Sequence, residues 1–194
     1  MKLPEVIIRL PDWARSLMDA QPRIFPDMED RMGFVVELSR QNILHGTGGP
    51  FGAAVFDDCG RLITPGVNTV TSSNCSILHA EIMAIALAQR TLGRYDLGGG
   101  GGKFCFALFA STEPCAMCFG AIPWSGIRVL VCGARSADAE AIGFDEGPKP
   151  AGWMEALNQR GIGVKQDVMR DAAAAVLKEY AMTGGRIYNP GLFV

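Results

Sequence analysis

The stretch FCFALFASTEPCAMCFGAIPW, residues 104–124, carries the main signal for the fold of this chain. Its beginning belongs to a strand predicted over 103–110, which is apolar on both faces and therefore typical of a central strand. Pro114 suits the first turn of a helix that follows this strand. The sequence thus predicts that Cys115 and Cys118 lie where a central strand passes into a helix.

Helix and strand patterns alternate on either side of this stretch. The predicted helices span residues 27–45, 79–92, 114–124, 136–141, 153–159 and 171–182, and the predicted strands span 51–56, 61–67, 103–110, 127–132 and 162–168. This order indicates an α/β protein built as a three-layer α/β/α sandwich on a five-stranded mixed sheet.

Length and composition indicate one folded domain with additions at both ends. The chain has 194 residues, of which 48% are apolar and 20% charged, and this composition excludes a mainly disordered protein. We expect an N-terminal arm over 1–26, punctuated by prolines, a domain over 27–183 and a C-terminal tail over 184–194.

Charge and hydropathy exclude several classes of partner. The formal net charge is −2, so no basic footprint for nucleic acid is visible. No apolar run is long enough to cross a bilayer, and prolines and charged residues interrupt the opening stretch, unlike a signal peptide. The expectation is a cytoplasmic protein that binds neither nucleic acid nor a membrane.

Two short motifs offer the ligands of a catalytic zinc site. Such a site needs three protein ligands, an open position, and a base that reaches the bound water without binding the metal. His79-Ala80-Glu81 and Pro114-Cys115-Ala116-Met117-Cys118 provide one imidazole, two thiols and a carboxyl group. Both motifs stand at predicted helix starts, where the helix dipole favours thiolates. H-x-E followed by P-C-x-x-C is the signature of zinc deaminases.

Other interpretations of these residues stay open at this point. His79 could be a buried polar residue, and Cys115 and Cys118 could be core residues or a redox pair. A structural zinc site normally has four protein ligands, and no fourth cysteine or histidine stands nearby in the sequence. A redox pair would not explain His79-Ala80-Glu81, whereas a catalytic metal site explains both motifs.

The two motifs resemble those of the cytidine deaminase superfamily, and further stretches are similar to its bacterial guanine deaminases. This additional similarity lies in 48–53, Asn68 with 71–74, 120–122 with Trp124, and 143–146. It covers roughly residues 27–150. The resemblance implies the predicted fold and a zinc-dependent hydrolysis of guanine to xanthine and ammonia.

The resemblance also implies the catalytic residues. His79, Cys115 and Cys118 would hold one zinc ion per chain, and Glu81 would take a proton from the zinc-bound water and return it to the ring. Glu146 would be a second proton shuttle, although the family usually has aspartate at this position. Ammonia needs one more proton than the amine carries, which is the step that Glu146 would serve.

The substrate implied by the resemblance is a small nucleobase. Asn68 would bind the purine edge, Phe51 and Trp124 would shape the pocket, and His79 and Ala80 would complete the substrate-binding set. Asparagine has both donors and an acceptor, which suits the mixed edge of a purine lactam.

The family resemblance further implies a homodimer in which the C-terminal tail closes the partner's active site through an aromatic residue. Tyr180, Tyr188 and Phe193 are the candidates for that residue.

Two alternatives to guanine deamination remain. The first is deamination of another amino-heterocycle: cytosine, an aminotriazine, or the adenosine of tRNA, although net charge −2 disfavours an RNA substrate. The second is a zinc-bearing binding or assembly module without catalysis, which the presence of Glu81 disfavours.

Overall fold

The computed structural model describes residues 5–99, 105–189 and 191. The helices are α1 (Asp12–Asp19), α2 (Met28–Leu44), α3 (Val70–Ser73), α4 (Ala80–Leu92), α5 (Ala116–Ser125), α6 (Ser136–Glu140), α7 (Trp153–Asn158) and α8 (Arg170–Met182). The strands are β1 (Gly52–Phe56), β2 (Leu62–Val67), β3 (Ala107–Thr112), β4 (Val129–Ala134) and β5 (Gly163–Lys165).

The strands form one mixed sheet in the order β2-β1-β3-β4-β5. β1 lies antiparallel to both β2 and β3, whereas β3, β4 and β5 run parallel. Parallel neighbours need a crossover connection, and α5 supplies it between β3 and β4. The sheet confirms the predicted fold class.

Helices cover both faces of the sheet and complete the three layers. On one face α2 and α8 pack against a buried cluster that includes Phe56 and Phe109. On the other face α4, α5 and α7 pack around a second buried cluster. The start of α4 lies so close to β2 that a Cβ atom at Gly66 would collide with the backbone oxygen of Ala80. This close approach holds His79 against the sheet.

Strand β3 differs from its predicted bounds of 103–110. It begins at Ala107 and continues to Thr112, which pairs with Ala134 of β4. The ladder extends this far because the Glu113 N–H also donates to the Ala134 oxygen, at 2.8 Å. Because β3 continues to Thr112, only three residues separate its end from the start of α5 at Ala116.

The fifth strand is shorter than predicted, and only part of the glycine run can be described. β5 covers Gly163–Lys165 instead of 162–168, because it is an edge strand that pairs only with the first three residues of β4. The glycine run over 98–102, predicted as a flexible loop, lies partly outside the described residues.

The N-terminal arm contains a helix that the proline pattern did not predict. α1 begins directly after Pro11, a residue that is tolerated at helix starts. Leu10 and Ala14 are buried in the same cluster as α2. The described part of the arm therefore packs against the domain of its own chain. Among the described residues, no helix has the length and apolar character needed to span a membrane.

Candidate active site

Two helix starts bring His79, Cys115 and Cys118 together. His79 is the N-cap residue of α4, Cys115 is the N-cap residue of α5, and Cys118 lies in the first turn of α5. The Nδ1 atom of His79 lies 3.5 Å from the Sγ atom of Cys115 and 3.6 Å from that of Cys118. The three candidate ligand atoms all lie within 4.8 Å of one another.

This spacing fits a tetrahedral zinc ion. With Zn–N bonds of about 2.0–2.1 Å and Zn–S bonds of about 2.3 Å, tetrahedral geometry separates nitrogen from sulfur by about 3.5 Å. Within residues 5–99, 105–189 and 191, no fourth histidine, cysteine or carboxylate joins the cluster. Three ligands with a free fourth position are typical of a catalytic zinc site rather than a structural one.

Hydrogen bonding makes one of the two thiols strongly acidic. A hydrogen bond from Cys118, supported by His79, lowers the pKa of Cys115 to about 4. The same hydrogen bond, together with burial, raises the pKa of Cys118 well above its ordinary value. Burial acts to lower the pKa of His79, but the hydrogen bond with Cys115 and the charge of Glu81 outweigh it and raise the pKa. Metal ligands must be deprotonated to bind, and Cys115 already favours its thiolate form without a metal.

Glu81 stands two residues after His79, in the first turn of α4. Its side chain is only 8% exposed and lines the same cavity as His79 and Cys115. Burial, reinforced by the negative charge of Cys115, raises the pKa of the Glu81 carboxyl group. A raised pKa brings a carboxyl group closer to the range in which it can exchange protons at neutral pH.

Glu146 reaches the cavity from the loop over 143–147. Its backbone oxygen accepts a hydrogen bond from the Ala116 N–H at 2.8 Å, which ties the loop to the first turn of α5. Its side chain is 7% exposed, and burial raises the pKa of its carboxyl group to about 8. Two buried carboxyl groups with raised pKa values therefore line one cavity.

The cavity beside these groups has a volume of about 430 Å³, within the range of small-molecule sites. Part of its wall is aromatic. The rings of Phe51 and Phe144 meet edge to face with centroids 4.9 Å apart, and the ring of Tyr188 meets Phe144 in the same manner at 5.2 Å. Such a wall suits a flat heterocyclic ligand.

The family model for the cytidine and deoxycytidylate deaminase zinc-binding region matches residues 27–134. This chain belongs to that deaminase family. The matched region contains His79-Ala80-Glu81 as well as Cys115 and Cys118, whereas Glu146 lies beyond its end.

Guanine deaminases are among the relatives of this deaminase-family chain. The guanine deaminase of Bacillus subtilis (strain 168) is 41% identical over 111 residues, which cover 57% of this chain and 67% of that protein. A solved guanine deaminase from Nitrosomonas europaea is 50% identical with a TM-score of 0.86, covering 92% of this chain and 97% of that chain. A mutant of the protein NE0047 in complex with 8-azaguanine has the same identity of 50% and TM-score of 0.86, covering 92% of this chain and 98% of that chain.

In this deaminase-family chain, the C-terminal tail reaches the cavity of the same chain. Tyr188 lines the cavity and lies so close to Gly49 that a Cβ atom there would collide with its hydroxyl group. The Oδ1 atom of Asn189 accepts from the Asp145 N–H at 3.0 Å, and its Nδ2 atom donates to the Gly143 oxygen at 2.8 Å. The tail thus braces the loop that carries the second carboxyl group.

Of the three aromatic candidates, the structure brings Tyr188 to the cavity. Tyr180 stacks behind Phe144 at 6.1 Å, and its hydroxyl group donates to the Arg186 oxygen at 2.7 Å. Phe193 lies outside the described residues. Burial raises the pKa of Tyr188, so its hydroxyl group remains a hydrogen-bond donor at neutral pH.

Three residues predicted to bind the base do not line the cavity. Trp124 is 84% exposed, because α5 contributes to the cavity only through its first turn. Ala80 is fully buried between α4 and the sheet. Asn68 is fully buried behind the cavity wall, where its Oδ1 atom accepts from the N–H groups of Gly49 at 3.3 Å and Val70 at 3.2 Å.

Sequence reasoning assigned no role to several residues that line the cavity. They are Val70, Ser76, Glu113, Met117, Phe144 and Asn189. Phe144 lies within the quoted motif 143–146, so the motif itself was the signal that could have identified it. Asn189 and Tyr188 are far from both zinc motifs in the sequence, and only the folded tail brings them near.

Proposed function

We propose that this chain is a zinc-dependent guanine deaminase that hydrolyses guanine to xanthine and ammonia. The observation that carries the proposal is the meeting, at one cavity, of three ligands at tetrahedral zinc spacing with two buried carboxyl groups. The similarity to a guanine deaminase over 92% of the chain supports guanine as the substrate.

Proton transfer to the ring is the proposed task of Glu81. A zinc ion bound by His79, Cys115 and Cys118 would supply a water molecule acidified toward neutral pH. Glu81 accepts a proton from the attacking water and gives it to the ring nitrogen beside the carbon that bears the amine. Its burial fits this task, because a raised pKa allows the carboxyl group both to take up and to release the proton.

Glu146 is proposed to protonate the leaving group. Ammonia needs one more proton than the exocyclic amine carries. With its pKa raised to about 8 by burial, the Glu146 carboxyl group holds a proton at neutral pH and can donate it to the departing nitrogen. The second proton of the attacking water, released when the new carbonyl group forms, then returns Glu146 to its acid form.

The pocket supports recognition of a purine. Phe51 and Phe144 provide apolar ring surface, and the hydroxyl group of Tyr188 lies at the cavity wall with the side chain of Asn68 within hydrogen-bonding reach behind it. If Asn68 donates to the Tyr188 oxygen, the hydroxyl hydrogen of Tyr188 is left for the ligand, and a ligand that accepts from it would gain affinity. Guanine offers the acceptors N7 and O6 on one edge.

The direct test is product formation. The purified, zinc-loaded chain should convert guanine to equal amounts of xanthine and ammonia, followed by chromatography and an ammonia assay. Aminotriazines with an amine next to a lactam are proposed as secondary substrates. A zinc-loaded, folded chain that forms no xanthine would contradict the proposal.

Replacing Glu146 by Gln is expected to lower kcat for guanine about 10²-fold or more, with KM changing less than about threefold. The effect falls on kcat because the proton of Glu146 is needed only once the amine starts to leave. Steady-state kinetics measure this split. The same substitution at exposed Glu155 of α7 is the control and should change neither constant. An unchanged kcat in Glu146→Gln would remove this residue from the mechanism.

Substitutions at Asn68 are expected to weaken substrate binding. Asn68→Ala and Asn68→Asp should each raise KM for guanine about tenfold, with kcat changing much less, because both remove the Nδ2 donor that orients the Tyr188 hydroxyl group at the cavity wall. Asn68→Asp retains an oxygen for the N–H groups of Gly49 and Val70, so it separates binding from loop support. Asn158→Ala, at an exposed position, is the control. If both Asn68 variants keep the parental KM, Asn68 has no part in binding the base.

We also propose a homodimer that forms through the outer face of α5. Trp124 and Met117 are 84% and 37% exposed, and residues seven apart lie on one face of a helix. Gly120 lies between them and leaves open space at its Cβ position. Exposed apolar patches of this kind mark interaction sites, and a second copy docked here would also lie near the cavity that Met117 lines.

Exchange of the tail between the two copies is part of the same proposal. The domain over 27–183 would carry the metal site, the arm over 1–26 would support it, and the tail over 184–194 would cross to the partner. Gly184, at φ 75°, provides a hinge for the crossing. Exchange of an identical element preserves its contacts, so Tyr188 would occupy the same place in the partner's cavity.

Mixing two defective chains tests this exchange. A chain truncated after Thr183 should bind zinc but turn over guanine slowly, and full-length His79→Ala should be inactive. Mixed dimers should regain activity, because the intact tail of the second chain closes the metal site of the first. Adding Trp124→Glu to both chains should abolish the recovery and give monomers by sedimentation. Mixed dimers without recovery would show that the tail acts within its own chain.

We propose a cytoplasmic location for the chain. Its six cysteines are all free, which favours a reducing compartment.

A further inference from the structure

Two buried charged residues beside the cavity have no part in the mechanism described so far. Glu113 is 7% exposed, and the side chain of Lys149 is 9% exposed. Burying a charge is costly unless every partner is supplied, so their presence next to the metal site calls for a reason. We propose that Lys149 and Ser136 form a positioning pair that orients the carboxyl group of Glu146 for proton donation, an inference that rests on the proposed function.

The ammonium group of Lys149 is held on every side. It donates to the Pro114 oxygen at 2.9 Å and to the Ser136 Oγ atom at 2.6 Å, and it lies 3.7 Å from the Glu113 Oε2 atom. It also lies 4.6 Å from the centre of the Trp153 ring, within cation–π range. Of the three hydrogens of the ammonium group, two are donated to the Pro114 and Ser136 oxygens, and the Glu113 carboxylate compensates the charge as an ion pair.

Glu113 is fixed in turn by groups other than Lys149. Its Oε2 atom accepts from the Ser136 N–H at 3.0 Å, and its Oε1 atom accepts from the Gln166 side chain. The carboxylate therefore compensates the buried ammonium charge and also holds the backbone of Ser136. The charge pair supports the serine from both sides.

These contacts determine the direction of the Ser136 hydroxyl group. Lys149 has donors only, so the Ser136 oxygen must accept from it and cannot direct its own hydrogen there. The Glu146 Oε2 atom lies 3.5 Å from this oxygen and is the acceptor left for that hydrogen. Catalytic hydrogen bonds are often long without substrate and shorten in the reacting complex.

The hydrogen bond from Ser136 determines which oxygen of Glu146 carries the proton. Because Oε2 accepts from Ser136, the acidic proton resides on Oε1, the oxygen left free for the substrate. Lys149 also ties the far end of this loop to Pro114, directly before Cys115. The pair thus places both the proton and the loop, without touching the substrate.

Steady-state kinetics of the zinc-loaded full chain with guanine test this role. Ser136→Ala should lower kcat about tenfold with little change in KM, the rate equivalent of one hydrogen bond. Ser136→Thr retains the hydroxyl group and should stay within about threefold of the parent. The Ser136 N–H to Glu113 is unaffected by either substitution, so both variants keep the backbone support.

A double-mutant cycle separates positioning from a structural role. In a Glu146→Gln background, Ser136→Ala should cost less than about twofold, because no acidic proton remains to be placed. The combined Glu113→Gln, Lys149→Met variant avoids an unpaired buried charge. Its kcat should fall as much as that of Ser136→Ala, and adding Ser136→Ala to it should lower kcat no further. Equal losses in both backgrounds, or a parental kcat in Ser136→Ala, would overturn the inference. A parental kcat in Glu146→Gln would overturn it together with the role of Glu146, whereas failure of Ser136→Ala alone leaves the proposed function intact.

Discussion

Glu81→Gln is expected to retain zinc and the native fold but to lose guanine turnover by about 10⁴-fold or more. A single positioned acid–base group contributes about 10²–10⁴-fold, and Glu81 is proposed to serve more than one transfer in each cycle. Glutamine has nearly the same shape but can neither take up nor release a proton near neutral pH. Turnover, metal content and circular dichroism of the purified variant measure the three parts of this expectation.

The matched control is the same substitution at an exposed site of the domain. Glu140 lies in α6 and is exposed, so Glu140→Gln should keep parental kcat and KM. If Glu81→Gln keeps near-parental turnover, the base that activates the water lies elsewhere.

Removing any one of the three proposed metal ligands is expected to abolish both metal binding and turnover. The parent should contain about one zinc per chain, and His79→Ala, Cys115→Ser and Cys118→Ser should each lose it, because a three-ligand site cannot retain tetrahedral zinc with two. Metal analysis after dialysis measures the content. Cys59→Ser, at an exposed turn cysteine, should retain both zinc and activity. Full zinc retention in all three ligand variants would contradict the site.

The zinc motifs were predictable because their signals are local. Pro114 indicates the start of a helix, so the residues that follow it lie near the positive end of the helix dipole. His79 and Cys115 are indeed the N-cap residues of α4 and α5. The five-stranded mixed sheet was predictable from the alternation of strands and helices, since parallel strands need crossover connections.

Other features depend on long-range packing and left little trace in the sequence. The exposure of Trp124 depends on which turn of α5 faces the cavity, and a short helix without a clear apolar stripe does not reveal this. The observed bounds of β3 differ from the predicted ones because pairing with β4, not local composition, determines where the strand begins and ends. The placement of Tyr188 depends on the path of the tail after α8.

Buried charge was equally hard to predict. Lys149 lies in a loop rich in glycine and proline and looks like an ordinary solvated lysine in the sequence. Only the fold shows that Glu113 and Ser136, from elements distant in the chain, surround it. Charged pairs formed between distant segments have no local sequence pattern, in contrast to pairs three or four residues apart on a helix.

The central claim is that the cavity acts on guanine as the free base. The most direct measurement is kcat/KM of the zinc-loaded chain for guanine, adenine, cytosine and their nucleosides, followed by ammonia release under identical conditions. The account predicts that guanine exceeds every other compound, since a pocket whose buried donors pair with a substrate rejects analogues lacking those acceptors by large factors. Faster turnover of cytidine or adenosine than of guanine would contradict the guanine assignment.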